Sequence, residues 1–159
     1  EHRKQFGHWE ADTLVSRSSK PALHSITERK TRLLRLSKLE RKTAAETNKA
    51  VIRALRKLPP KARRTLTLDN GTENAAHEEL TAKLGTKCYF AQPYAAWQRG
   101  SNEQINGLVR RYLPKGTDFS KIDKDQIKRI ERLINNRPRK CLGFKTPLEV
   151  ARSIVALHT

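Results

Sequence analysis

The sequence predicts an α/β or α+β layer domain built on a mixed sheet, and three observations predict it. Three short runs of alternating or β-branched residues follow one another near the N-terminus, which suggests an antiparallel meander. The middle of the chain then passes from helix to strand to helix to strand, an order that adds parallel neighbours to such a sheet. Finally, 159 residues of which 36% are hydrophobic suffice for one sizeable core but not for two full domains.

Each element has its own local reason. Residues 9–15 alternate, with Trp9, Ala11, Thr13 and Val15 on one face and Glu10, Asp12 and Leu14 on the other; Trp9 is read as core. Residues 16–21 are a polar turn, and residues 22–27 and 33–39 make two further strands separated by Glu28-Arg29-Lys30-Thr31. Thr43-Ala44-Ala45-Glu46 has the capping-box spacing, and Ala44, Thr47, Val51, Leu55 and Leu58 keep helical periodicity until Pro59-Pro60 stops it. Residues 65–69 alternate again, so Asp69 ends a strand just before the turn pair Asn70-Gly71. Residues 75–84 are helical with Gly85 as C-cap, and residues 87–90 are a short strand. After a loop, Ser101-Asn102-Glu103-Gln104 is read as a second capping box, opening a helix through Ile105, Leu108, Val109 and Tyr112. Residues 123–136 form another helix, and Thr146-Pro147-Leu148-Glu149 opens the last one with an N-cap, Pro at N1 and Glu at N3.

Composition narrows the partners. Lys plus Arg number 34 against 16 Asp plus Glu, a formal charge of +18. That self-repulsion is costly unless a polyanion compensates, so nucleic acid is the first expectation, with a merely cationic surface as the alternative. No apolar run is long enough to span a bilayer and no signal-peptide core is present, so no membrane partner is expected. Cys88 and Cys141 lack C-x-x-C spacing, which argues against a zinc knuckle or disulfide framework and for a reducing compartment with buried thiols. The five histidines show no H-x-x-x-H pattern. A chain with no Met that opens on Glu1 is read as one domain over residues 1–159, excised from a longer protein.

Acids are scarce here, and an acid on a polyanion-binding surface works against affinity unless it binds metal. Magnesium prefers carboxylate and water oxygens, and two such ions about 4 Å apart can activate an attacking oxygen and stabilise a leaving oxygen of a phosphodiester. Three convergent carboxylates suit that chemistry: Asp12 within a strand, Asp69 at a strand end, and Glu103 in the first turn of a helix whose same face carries Asn106, Gly107 and Arg110. Taken singly, each also fits an ordinary role: Asp12 in a salt bridge, Asp69 in an Asx-turn, Glu103 against the helix dipole.

Together the contexts resemble a family. His8-Trp9-Glu10-Ala11-Asp12-Thr13, Thr67-Leu68-Asp69-Asn70-Gly71-Thr72-Glu73, and the run from Trp97-Gln98-Arg99-Gly100 through Ser101-Asn102-Glu103-Gln104 to Ile105-Asn106-Gly107-Leu108 resemble the three catalytic blocks of bacterial DDE transposases of the insertion sequence 30 family. Arg111-Tyr112-Leu113-Pro114-Lys115-Gly116-Thr117 and the run from Asn135-Asn136-Arg137-Pro138 to Thr146-Pro147 resemble its C-terminal blocks. The resemblance implies a ribonuclease-H-like core shared with retroviral integrases, with three antiparallel strands then two parallel ones. It makes Asp12, Asp69 and Glu103 the catalytic triad, holding two Mg²⁺ or Mn²⁺ ions while DNA is cut and the freed 3′-hydroxyl attacks a target strand. Family members carry an N-terminal helix-turn-helix region, of which no counterpart is read in these residues, and act as multimers on DNA; a cytoplasmic, nucleoid-associated bacterial homo-oligomer is the corresponding expectation. Arg99, Arg110, Asn106, Arg137, Arg139 and Lys140 are candidate DNA contacts, and Asn70 and Glu73 candidate supports for Asp69. Two rivals use the same fold: a catalytically idle basic DNA-binding domain, and a metal-dependent nuclease that only hydrolyses.

Overall fold

The computed structural model describes residues 4–69, 76–91 and 100–158. Five strands, β1 (His8–Leu14), β2 (Ala22–Glu28), β3 (Leu34–Leu39), β4 (Thr65–Leu68) and β5 (Lys87–Phe90), form one sheet in the order β3-β2-β1-β4-β5. β1 pairs antiparallel with β2 and β2 with β3, while β4 and β5 extend the sheet in parallel. The expected meander followed by a parallel pair is therefore present, with β1 as the strand common to both halves.

Alternation along β1 decides what each face meets. Trp9 and Ala11 pack with Ile26, Leu66 and Leu68 under α1 (Ala44–Leu55) and α2 (His77–Leu84), with Ala151 of α5 (Pro147–His158) in the same cluster. The Trp9 indole donates to the Ala62 carbonyl at 2.8 Å, so this large ring is buried with its polar edge satisfied. On the other face, Leu23, Leu34 and Leu36 meet Ile105 and Val109 of α3 (Gly100–Tyr112) and Ile127, Ile130 and Ile134 of α4 (Lys124–Asn135). Helices thus cover both faces of the sheet.

Several helix starts follow their sequence signals. Thr43 accepts from the Glu46 amide at 3.3 Å, and Thr146 accepts from Glu149 at 3.1 Å ahead of Pro147. Asp123 and Gln126 form a reciprocal capping box. Gly85 ends α2 in the left-handed region at φ 68°. Ser101 is a correction: α3 already includes Gly100, and the Ser101 hydroxyl accepts from the Arg32 guanidinium instead of capping the helix. The thiols correct another expectation, since both are free but Cys88 is only half-buried and Cys141 is exposed. None of the described helices is long and apolar enough to cross a membrane.

Candidate active site

Pairing fixes the first two acids. The parallel register His8↔Thr65, Trp9↔Leu66, Glu10↔Thr67 keeps a constant offset, and the same offset carried two residues further brings Asp69 level with Asp12. Asp69 directly follows Leu68, the last residue of β4, and its charge acts on His24, which pairs with Thr13 next to Asp12.

The third element is locked on by a carboxamide. Asn106 of α3 donates from Nδ2 to Asp12 Oδ2 at 2.7 Å, while its Oδ1 accepts from Ser25 Oγ at 3.0 Å. Ser25 lies opposite Asp12 in the β1–β2 register. A carboxylate only accepts, so the NH₂ must face Asp12, and the Ser25 hydroxyl must then be the donor to the amide oxygen. Asp12 Oδ1 also accepts from the Thr13 amide at 2.9 Å. Asn106 and Ser25 are both buried, so this chain fixes one carboxylate orientation. Glu103 is exposed one turn before Asn106, and i,i+3 residues of a helix share a face.

Among the described residues no group of three His, Cys, Asp or Glu side chains stands close enough to hold a metal ion. The donor set nevertheless suits a hard divalent cation, being all carboxylate oxygen in a chain of strong positive charge. Glu103 has its side chain in solvent.

Nearby electrostatics come from His24, paired with Thr13 in the register. Burial pushes its pKa down to about 4, although the charge of Asp69 works in the opposite direction, so its imidazole is neutral near pH 7. Other buried acids have structural partners: Glu10 pairs with Arg29 at 3.0 Å. Glu28 accepts from the Gly7, Lys30 and Thr31 amides and the Thr31 hydroxyl, while its burial raises its pKa.

The expected DNA contacts divide. Asn106 is turned inward onto Asp12. Arg110 donates to the Val15 carbonyl at 3.1 Å and stands 5.7 Å over the Phe119 ring, so it ties the end of α3 to the end of β1. Arg137 and Lys140 are exposed and Arg139 is half-buried, all around a tight hairpin before α5. Arg99, Asn70 and Glu73 lie outside the described residues. Ser25 and Arg32 were not legible as contributors, because their roles arise from partners 81 and 69 residues away.

This sheet order, with helices on both faces, defines a ribonuclease-H-like fold of the retroviral integrase kind. The catalytic core of bovine immunodeficiency virus (BIV) integrase superposes with a TM-score of 0.72 at 18% identity, covering 96% of this chain and 98% of that one. A chain of the simian T-cell lymphotropic virus intasome in complex with PP2A regulatory subunit B56 gamma also gives 0.72, at 21% identity, covering 91% of this chain and 54% of that one. The family model for the integrase core domain matches residues 2–96, and the chain belongs to that family. It is 45% identical over 155 residues to the transposase for insertion sequence element IS4351 of Bacteroides fragilis, covering 98% of this chain and 47% of the relative. Against transposase InsI for IS30A of Escherichia coli K12 it is 40% identical over 157 residues, covering 99% and 41%. The chain thus spans less than half the length of these curated relatives.

Proposed function

We propose that the chain is the catalytic domain of an insertion sequence 30 type transposase, cutting DNA at the ends of a mobile element and joining them to target DNA. The observation that carries this is the Asn106 bridge, which ties the Glu103-bearing helix to Asp12 of β1. Asp12, Asp69 and Glu103 would hold two Mg²⁺ or Mn²⁺ ions, Glu103 swinging inward from solvent. Bound there, such ions supply Lewis acidity at the scissile phosphate and favour ionisation of the attacking hydroxyl. In the first step water oxygen bonds to phosphorus as the bond to the 3′ oxygen breaks. In the second, the freed 3′ oxygen bonds to a target phosphorus and displaces that strand's own 3′ oxygen.

The chain's residues orient these events. Asn106 and Ser25 hold Asp12 in one rotamer, Asn70 and Glu73 support Asp69, and Arg99, Arg110, Arg137, Arg139 and Lys140 neutralise backbone phosphates. The working form is a homo-oligomer on DNA in the bacterial cytoplasm, at the nucleoid. A labelled, pre-cleaved element end incubated with target duplex and Mg²⁺ or Mn²⁺ tests the reading. Joined product is expected from the wild type and none from Asp12→Asn, Asp69→Asn or Glu103→Gln. Hydrolysis without joining would assign the domain to nucleases, and DNA binding without either reaction would leave an idle binding domain.

A further inference from the structure

Phe144 is 71% exposed, the most solvated large apolar side chain among the described residues. It also has φ 66°, a left-handed conformation that L residues other than Gly and Asn rarely adopt. The hairpin imposes it: the Phe144 amide donates to the Arg139 carbonyl at 2.9 Å, Arg139 donates to Lys145 at 3.0 Å, and Gly143 precedes at φ 63°. A glycine would suit this backbone better, and the ring gains no burial where it stands. Both ends of the segment are anchored, since Asn135 bonds both ways to Leu34 at 2.9 Å and Thr146 caps α5. The ring is therefore held out on a rigid support.

Its surroundings are uniformly basic. From Arg132 to Leu148 the sequence has five Lys or Arg and no acid; Arg137, Lys140 and Lys145 are exposed. The half-buried Arg139 has an Nη1 with no hydrogen-bond partner among the described residues. A flat apolar ring among cations matches a nucleic-acid strand, with a π face to stack on and phosphates on either side. A second copy of this chain would bring another +18 charge and is disfavoured.

We propose that the 139–145 hairpin is a nucleobase site: Phe144 stacks on an unstacked base of the DNA substrate while Arg137, Lys140 and Lys145 hold the flanking phosphates. This rests on the reading of the domain as DNA-acting. The test uses the whole chain with a single strand of about 12 nucleotides carrying 2-aminopurine, and with the same strand in duplex. Phe144→Ala should bind the single strand about 5- to 100-fold more weakly, the loss of one base–aromatic stack, with its duplex affinity unchanged. Phe144→Trp should keep the single-strand affinity. Phe144→Gly should lose it while melting at or above the wild-type temperature, which separates lost stacking from lost fold. Unchanged single-strand binding by Phe144→Ala, with duplex binding intact, overturns the hairpin site and leaves the transposase reading standing. Failure of the wild type to bind either DNA overturns both. A change in sedimentation of Phe144→Ala without DNA overturns the site in favour of an interface between copies.

Discussion

Asn106 stands between a hydroxyl that can donate and a carboxylate that can only accept, and each neighbour depends on it. Asn106→Ala removes the bonds to Asp12 and to Ser25 together, a loss of about 1–3 kcal/mol of stability. Urea unfolding measures that, and the same variant should bind Mn²⁺ more weakly, because Asp12 loses its fixed rotamer. His24 gives a second residue-scale expectation. The unfolded imidazole takes a proton below pH 6.5, whereas the buried one stays neutral down to about 4. Between those values the unfolded state binds more protons, so stability is full above pH 6.5 and falls as the pH drops, by up to about 3 kcal/mol. His24→Gln should flatten that part of the pH–stability profile; an unchanged slope would contradict the assignment. The place of Asp12 on the first strand and of Asp69 just past the end of β4 was legible in the sequence because strand alternation is a local signal. The Ser25 hydroxyl was not, because only the antiparallel register sets it against Asp12.

α4 shows what an element contributes beyond its buried stripe. β3 is an edge strand, and exposed edges invite pairing with other chains. Here the helix covers part of it: Asn135 accepts from the Leu34 amide and donates to its carbonyl, both at 2.9 Å, imitating a strand partner, and Glu131 accepts from the Leu36 amide at 2.8 Å. Asn135→Ala leaves two buried backbone groups unpaired and should cost about 2–4 kcal/mol in urea unfolding; a change under about 0.5 kcal/mol would show that water replaces the side chain. The α4 segment was legible in the sequence, and so was the antiparallel meander, from three short apolar runs with short links. The cap assigned to Ser101 failed because its hydroxyl serves Arg32 in the β2–β3 turn, which holds the N-terminal end of α3 against the sheet. Contacts of that span leave no local trace in sequence.

At the scale of the whole molecule, charge dominates. A domain of +18 should bind duplex DNA with log affinity falling linearly against log salt, with a slope of about −4 or steeper if five or more phosphates are neutralised; fluorescence anisotropy at graded salt measures it. A slope shallower than about −1 would remove the electrostatic basis for the proposed DNA face. An acid beside DNA is repelled by the phosphates unless a cation stands between, which is the electrostatic basis of the proposed metal site. The direct test is calorimetric titration of Mn²⁺ into the chain with DNA present, comparing wild type with Asp12→Asn, Asp69→Asn, Glu103→Gln and the surface control Arg64→Ala. Saturable binding in the wild type and control, lost in each acid variant, is the predicted result. Equal binding by all five proteins, or none by the wild type, would contradict the assignment of these three carboxylates as the catalytic metal site.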